Sequence, residues 1–401
     1  MNYYKLLCNM YPDKLDILWY MKYPLHHHLY AYGEHSKMSW EKRGKYINKI
    51  MVYLYYFYRR FKLKKIEGNK TIVSSAGPAI TDPIKQQGYN IIILNFCMSF
   101  RSYRWLYEIS NISFNRLISD KCKDRVDEIK EELKEIFKKN DIKFLLLIND
   151  VLPLAKIAIK SCKELGIPTG VFLHGLPAEY DLIDNFSADY TFVWGEAIKD
   201  NYLKLGCETP IIVTGNPIYS EAYGLSGTHN QVVVISFCAG DVYDGASDTL
   251  ADRGLCVQYA YSVERVLKEF GVNQAILRVH PHEKIEWYKK FIDTDFYILD
   301  NLPLMKSLSR AKYLIGPISS VVIDAVSHNV PYYSYILTKD VNSHSWEIVP
   351  PFRKEDGLPV AYSEAELQDN LENENYIRKE DVSSYYASAF DVMSITQYFL
   401  S

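Results

Sequence analysis

Basic and polar side chains gather in Arg278-Val-His-Pro-His-Glu283, and a second polar group follows at Gly316-Pro-Ile-Ser-Ser320. A guanidinium and two imidazoles on one short turn are suited to gripping a phosphate, because each donates hydrogen bonds and a protonated histidine also neutralises charge. Paired serines opening a helix add hydroxyls where the first backbone N–H groups have no intrahelical acceptor, which is an anion site. Asp324 lies five residues beyond Ser319, at the reach needed for ribose hydroxyls. Each part has a plain structural reading: Ser-Ser is a good helix cap, and His-Pro is a frequent turn. The ordered combination, with every part at the end of an apolar run, is what points to a nucleotide.

Those groups need a scaffold that delivers strand ends to one place. Short apolar runs alternate with helical stretches from Lys70 onward: Thr71-Ile-Val73, Asn90 to Leu94, Lys143 to Ile148, Thr169 to Leu173, Tyr190 to Trp194 and Pro210 to Thr214. After the polar stretch Gly224 to Gln231 the rhythm restarts. Val232 to Ser236, Ala275 to Arg278, Tyr297 to Leu299, Tyr313 to Ile315 and Pro331 to Ser334 read as strands, the last of these ending the series. Helices are expected at Lys121–Lys139, Ala155–Leu165, Tyr259–Phe270, Leu302–Ala311 and Ser319–Ser327. This alternation predicts an α/β fold with parallel sheets covered on both faces. A chain of 401 residues has room for two such units. The expected division is 1–227, with a helical N-terminal extension, and 228–401, with closing C-terminal helices. Ligands of such sheets sit beyond the carboxyl ends of the strands, so a central cleft between the halves is the expected site.

The strings RVHPHE, then D-x-x-P-L-x-x-x-L-x-x-A, then G-x-x-S-S-x-x-x-D-A-x-x-x-x-V-P resemble the C-terminal half of GT-B glycosyltransferases that build bacterial surface polysaccharides. The His-Pro turn with paired serines is similar to enzymes using CMP-activated acidic sugars, the sialyltransferases and Kdo transferases. Phe172-Leu-His-Gly175, Ala188-Asp189, Val193-Trp-Gly195 and Val213-Thr-Gly-Asn-Pro217 resemble the N-terminal domain of capsule polymerases and glycerophosphate transferases. The resemblance spans roughly residues 143 to 335. It implies a GT-B-like pair of Rossmann-like domains, with the acceptor on the first and the nucleotide sugar on the second. Arg278, His280, His282, Ser319, Ser320 and Asp324 would hold the nucleotide.

The acidic loop Gly240-Asp-Val-Tyr-Asp-Gly245, with Asp248 and Asp252 beyond, follows a strand end. In Kdo transferases of this type an aspartate of this domain acts as nucleophile, so the resemblance offers Asp241 or Asp244 for a two-displacement, retaining transfer. A solvated acidic loop is the plain alternative, since loops gather both charge and function. Sialyltransferases carry an acidic-acidic-glycine tripeptide in the first half, and none stands here. Asp150 and Glu179 are the available substitutes, a departure that favours Kdo over a sialic-acid-like donor. Histidine 280 serves as a further catalytic candidate. In the first half His174 and Gly175 are expected at the acceptor or the donor carboxylate, because glycine lets a substrate approach the backbone closely; a buried, hydrogen-bonded His174 is the plain reading. A CDP-glycerol or polyol-phosphate transferase shares the first-half strings and is the alternative enzyme. A polysaccharide-assembly subunit with a vestigial cleft is the non-enzymatic one.

Composition narrows the remaining classes. Hydrophobic residues make up 48% and charged residues 24%, the balance of a globular protein, and a net charge of -3 gives no general argument for nucleic acid. The seven cysteines are scattered singly, which favours a reducing compartment over disulfides or structural zinc. No run is apolar enough to span a bilayer and no secretory signal opens the chain, so a cytoplasmic location is expected. Neither a dinucleotide fingerprint nor a P-loop is present. Asp293-Thr-Asp295 is the nearest string to a metal clamp, but it precedes a strand, so metal-independent transfer is expected, with protein groups stabilising the leaving CMP. His26 to His28 point in different directions on any regular element and make a poor metal site. Lys45 to Lys65 is dense in Tyr, Phe, Lys and Arg. It reads either as a helix packed on the domain or as a peripheral contact with the inner face of the cytoplasmic membrane, apt for a lipid-linked glycan acceptor.

Overall fold

Short strands rich in Val, Ile, Leu and Phe, separated by helices, can pair in parallel only if every connection crosses over the sheet. A computed structural model describes the chain apart from residues 1–2, 31–52, 55, 59–69, 110–111, 174–186, 205, 218–226, 237–252, 281–282, 284, 301, 318, 338–353, 355–356, 383–385 and 400–401. His174, Gly175, Glu179, Asp241, Asp244, Asp248, Asp252, His282, most of Lys45–Lys65 and the side chains of His26 to His28 therefore lie outside the described residues.

Two six-stranded sheets form, and every pairing in them is parallel. The first comprises β1 (Thr71–Ser74), β2 (Asn90–Ile93), β3 (Ile142–Leu147), β4 (Thr169–Phe172), β5 (Tyr190–Val193) and β6 (Ile211–Val213), in the order β2-β1-β3-β4-β5-β6. The second comprises β7 (Gln231–Ile235), β8 (Ala275–Arg278), β9 (Tyr297–Asp300), β10 (Ala311–Gly316), β11 (Tyr332–Tyr335) and β12 (Val360–Ala361), in the order β12-β11-β10-β7-β8-β9. The expected α/β class, with two parallel Rossmann-like sheets, is what the chain adopts. Each sheet reverses its direction of growth once, between β1 and β3 and between β7 and β10. At such switch points adjacent loops leave in opposite directions and open a crevice.

The helices used below are α1 (Tyr3–Met10), α2 (Leu15–Tyr30), α3 (Phe100–Tyr107), α4 (Asp120–Lys139), α5 (Pro153–Leu165), α6 (Arg253–Glu269), α7 (Leu304–Leu308) and α8 (Val321–Ser327). The α4 helix shows why the sequence helices form. Ser119 caps it by accepting from Cys122 N, Val126, Ile129, Leu133 and Phe137 make one buried stripe, and Lys138 and Lys139 complement its carboxyl end.

Three expectations about elements need correction. Pro331–Ser334 does not end the series, because Val360–Ala361 pairs beyond it; two residues are too few to show a period in the sequence. The helix expected over Leu302–Ala311 shrinks to α7, since Asp300 fixes the turn before it and Ala311 already belongs to β10. The helix expected from Tyr259 begins at Arg253. The described part of the supposed linker is also packed: a Cβ on Gly227 would meet the Ser309 carbonyl, and His229 Nδ1 lies 3.2 Å from the Ala311 carbonyl.

The chain end crosses back to the first sheet. Phe399 packs edge-on against Tyr89 and tilted against Phe144, with ring centroids at 5.1 and 4.6 Å, while Tyr398 lies 4.6 Å from Tyr190. Burying a phenylalanine in this way stabilises the fold by about 2 kcal/mol. One continuous apolar cluster therefore holds Phe144 and Phe192 of the first sheet, Val233 and Leu314 of the second, and Ile395 and Phe399 of the chain end.

Candidate functional site at the β7–β10 switch point

Three strand ends meet at the second switch point. The Ser236 amide, just past β7, donates to the Arg278 carbonyl at 3.0 Å. Gly316 closes β10 so near to β7 that a Cβ there would sit 3.1 Å from Ile235 Cβ. The same Cβ would stand 2.1 Å from the Tyr332 hydroxyl, which donates to the Pro317 carbonyl at 2.6 Å. Glycine is thus required at 316 so that a buried tyrosine can brace the turn leading to Ser319 and Ser320.

The turn after β8 is built around a side chain that sequence reasoning passed over. Glu283 is buried and accepts three hydrogen bonds: from Ser236 Oγ at 2.5 Å, from the His280 amide at 3.1 Å and from Tyr288 Oη at 2.7 Å. Its own amide donates to the His280 carbonyl at 2.8 Å. Burial raises the Glu283 carboxyl above the ordinary range, and the three donors oppose that shift. Glu283 ties the end of β7, where the acidic loop begins, to the main chain of His280, whose side chain is exposed. The signal in the sequence was a Glu three residues after a His that follows a strand end.

Arg278 takes a task different from the expected one. Its Nη1 donates to the Leu302 carbonyl at 2.6 Å and its side chain is largely buried, so it braces the turn between β9 and α7. Burial lowers its guanidinium from the usual value, opposed by Asp300 on the neighbouring strand. Asp300 is likewise structural: it accepts from Leu302 N, Ser307 Oγ and Arg310 Nη2 at 2.7, 3.0 and 2.5 Å. The D-x-x-P-L string is thereby explained by packing.

The paired serines sit before α8, with Ser320 at the cap position in helical geometry. The row of free amides expected there is not what the turn offers. Val321 N donates to Ser319 Oγ, Val322 N to the Ser319 carbonyl and Ile323 N to the Ser320 carbonyl. What remains for a ligand among the described residues is the pair of Ser319 and Ser320 amides, the Ser320 hydroxyl, which makes no capping bond, and Asp324 one turn on. Asp324 is half-buried, and no partner among the described residues stabilises its charge. Burial alone pushes its carboxyl up to about 7. A desolvated carboxyl without a partner among the described residues is what two vicinal hydroxyls of a ribose can satisfy.

In the first half, Asp150 is buried after β3 and accepts from Ser187 N at 2.5 Å; burial raises its carboxyl, with that hydrogen bond and Lys156 opposing. It is a loop anchor, which weakens its candidacy as a general base. Trp194 Nε1 donates to the Leu173 carbonyl at 2.7 Å and so fixes the residue before His174. The chain end enters here too: Ser388 N donates to the Trp194 carbonyl at 2.8 Å and Asp391 N to the Thr214 carbonyl at 2.8 Å. Gly215, at φ +70°, faces the Ala389 carbonyl so closely that a Cβ would lie 2.1 Å from its oxygen. The Val-Trp-Gly and Val-Thr-Gly-Asn-Pro strings receive the returning chain end. Asp293, as expected, precedes β9 and there accepts from the Asp295 and Phe296 amides.

No family model and no curated protein matches the chain. Among solved structures it is similar to the UDP-GlcNAc 2-epimerase of Neisseria meningitidis bound to UDP-GlcNAc, at 13% identity over 82% of this chain and 92% of that one, with a TM-score of 0.45. The wall teichoic acid polymerase TagF gives 11% identity over 88% and 97%, with a TM-score of 0.46. MurG of Acinetobacter baumannii gives 11% over 82% and 94%, at 0.42.

Proposed function

We propose that the chain is a glycosyltransferase that moves an acidic sugar, Kdo in preference to a sialic-acid-like residue, from a CMP donor to a bacterial surface-polysaccharide or lipid-linked acceptor. The observation that carries the reading is Asp324, a half-buried carboxyl without a partner among the described residues, set beside the Ser320 hydroxyl where β7, β8 and β10 end together. In this reading Asp324 takes the ribose hydroxyls, and Ser319, Ser320, His280 and His282 take the phosphate. Arg278 supports the site from behind, through Leu302. Asp241 or Asp244 attacks the anomeric carbon as CMP leaves. The acceptor oxygen then displaces the carboxylate and gives up its proton, which retains configuration over the two steps. His174 and Gly175 meet the acceptor, and neither a metal nor another cofactor is invoked. The division into 1–227 and 228–401 belongs to the same proposal, as does a cytoplasmic position at the membrane's inner face. No described helix is long and apolar enough to cross a membrane.

Transfer or hydrolysis assayed side by side with CMP-Kdo, CMP-sialic acid and CDP-glycerol tests the donor. Turnover of CMP-Kdo with a mass adduct on Asp241 or Asp244 supports the reading, and turnover of CDP-glycerol alone overturns it in favour of polyol-phosphate transfer. Calorimetry that detects no binding of CMP or of any of these donors assigns the chain to a non-enzymatic assembly role.

A further inference from the structure

Glu283 and the main chain of His280 first make the contacts of a tight turn: the Glu283 amide donates back to the His280 carbonyl at 2.8 Å, and the His280 amide donates to Glu283 Oε2 at 3.1 Å. A carboxylate three residues on that takes an unpaired amide is enough for such a turn, and it can do so from the surface. Here the carboxylate is buried, at 8% exposure, and it gathers two further donors. Ser236 Oγ, just past β7, donates to Oε2 at 2.5 Å and itself accepts from the His280 amide at 3.0 Å. Tyr288 Oη donates to Oε1 at 2.7 Å, and Cys256 in the first turn of α6 lies against the same hydroxyl. Both carboxylate oxygens are held, one from each side. The His280 amide is clasped between two acceptors, one following β7 and one following β8.

Taking a carboxylate out of water is costly, and a turn by itself gives no reason for it. What the additional bonds achieve is a fixed place for His280, whose side chain stays exposed. Because the His280 amide is already given to two acceptors, the imidazole is the only donor this residue can offer a ligand. We infer that Glu283, braced by Ser236 and Tyr288, is a positioning residue that acts through the His280 main chain to aim the imidazole at the donor phosphate. This role rests on the proposed reading of His280 as a phosphate ligand. The clasp on the amide can be followed without any ligand, so failure of the one and failure of the other are distinguishable.

Titration calorimetry with CMP is run on the full chain as wild type, Ser236→Ala, Tyr288→Phe and His280→Ala, and on each hydroxyl variant combined with His280→Ala. Ser236→Ala and Tyr288→Phe each remove one hydroxyl and are expected to weaken CMP about fivefold, and His280→Ala about tenfold. In the His280→Ala background neither hydroxyl should matter further, because the path to the ligand is gone. Glu283→Gln, which keeps an acceptor for the His280 amide, is expected to retain most of the affinity. Losses that add across the pairs, or hydroxyl variants that bind CMP as wild type does, overturn the inference; a merely structural role gives the first of these. Wild type that binds no CMP overturns the donor reading instead. Hydrogen exchange at the His280 amide without ligand then decides the clasp: faster exchange in both hydroxyl variants upholds it, and unchanged exchange overturns it.

Discussion

Asp150 and Asp324 are the same residue type, each near the carboxyl end of a parallel strand and each pushed upward in pKa by burial, yet they serve opposite ends. Asp150 is spent inside the fold, on the Ser187 amide and beside Lys156. Asp324 has nothing to hold among the described residues. The second switch point as a whole repeats this contrast within itself. Glu283 accepts three hydrogen bonds within the fold, and Asp324 accepts none through its side chain from the described residues. A buried carboxylate costs several kcal/mol unless paired, so a fold leaves one unpaired where a ligand completes it. The difference teaches that satisfaction of hydrogen bonds, more than residue type or position in a motif, separates scaffold from site.

The largest expected effect lies with the scaffold. Glu283→Ala strands the Ser236 and Tyr288 hydroxyls and the His280 amide, for a loss of about 4 kcal/mol in chemical denaturation. Glu283→Gln, which keeps an acceptor for the Ser236–His280 side and can donate to Tyr288, is expected to recover most of it. If Gln does no better than Ala, the carboxylate itself is needed and Glu283 belongs with Asp324. Gly215→Ala should cost about 3 kcal/mol, through its positive φ and the Ala389 carbonyl, with the returning chain end more open to protease. Gly316→Ala should cost about 2 kcal/mol and weaken donor binding as well, because Tyr332 must shift the turn before Ser319.

Asp324→Asn is the reverse case: donor-nucleotide affinity by calorimetry falls about tenfold, while the fold is as stable or more so. The sign follows from the raised carboxyl. With a folded value of about 7 against an ordinary 3.8, the folded chain holds the proton more tightly than the unfolded chain. Wild-type stability is therefore expected to decline as pH rises through that interval, by about 1–2 kcal/mol after allowance for partial exposure, and the Asn variant should lose this slope. Nucleotide affinity should rise over the same interval if ribose hydroxyls donate to the carboxylate; a flat profile breaks the contrast with Asp150. Smallest of all, Asp150→Asn retains an acceptor for Ser187 and should shift stability by less than about 1 kcal/mol, leaving nucleotide affinity unchanged.

Periodicity and composition by themselves determined the α/β class, the restart of the pattern near residue 230 and the position of most strands, because burial on both faces of a parallel sheet leaves continuous apolar runs. They also located the polar turns at strand ends, Arg278 to Glu283 and Ser319 to Asp324. Only the tertiary structure decided which members of those turns are spent. Arg278 looked like a ligand residue and became a brace for a turn, Glu283 looked incidental and became the centre of a hydrogen-bond network, and the chain end came back to cover the first sheet. None of this is legible along the chain, because a polar side chain's role depends on donors and acceptors brought to it from distant segments. Ser236 and Glu283 are 47 residues apart when they meet, and Tyr398 reaches Tyr190 from about half the chain away. Local pattern records what a segment must bury; only the folded chain records what each buried polar group has been given in return.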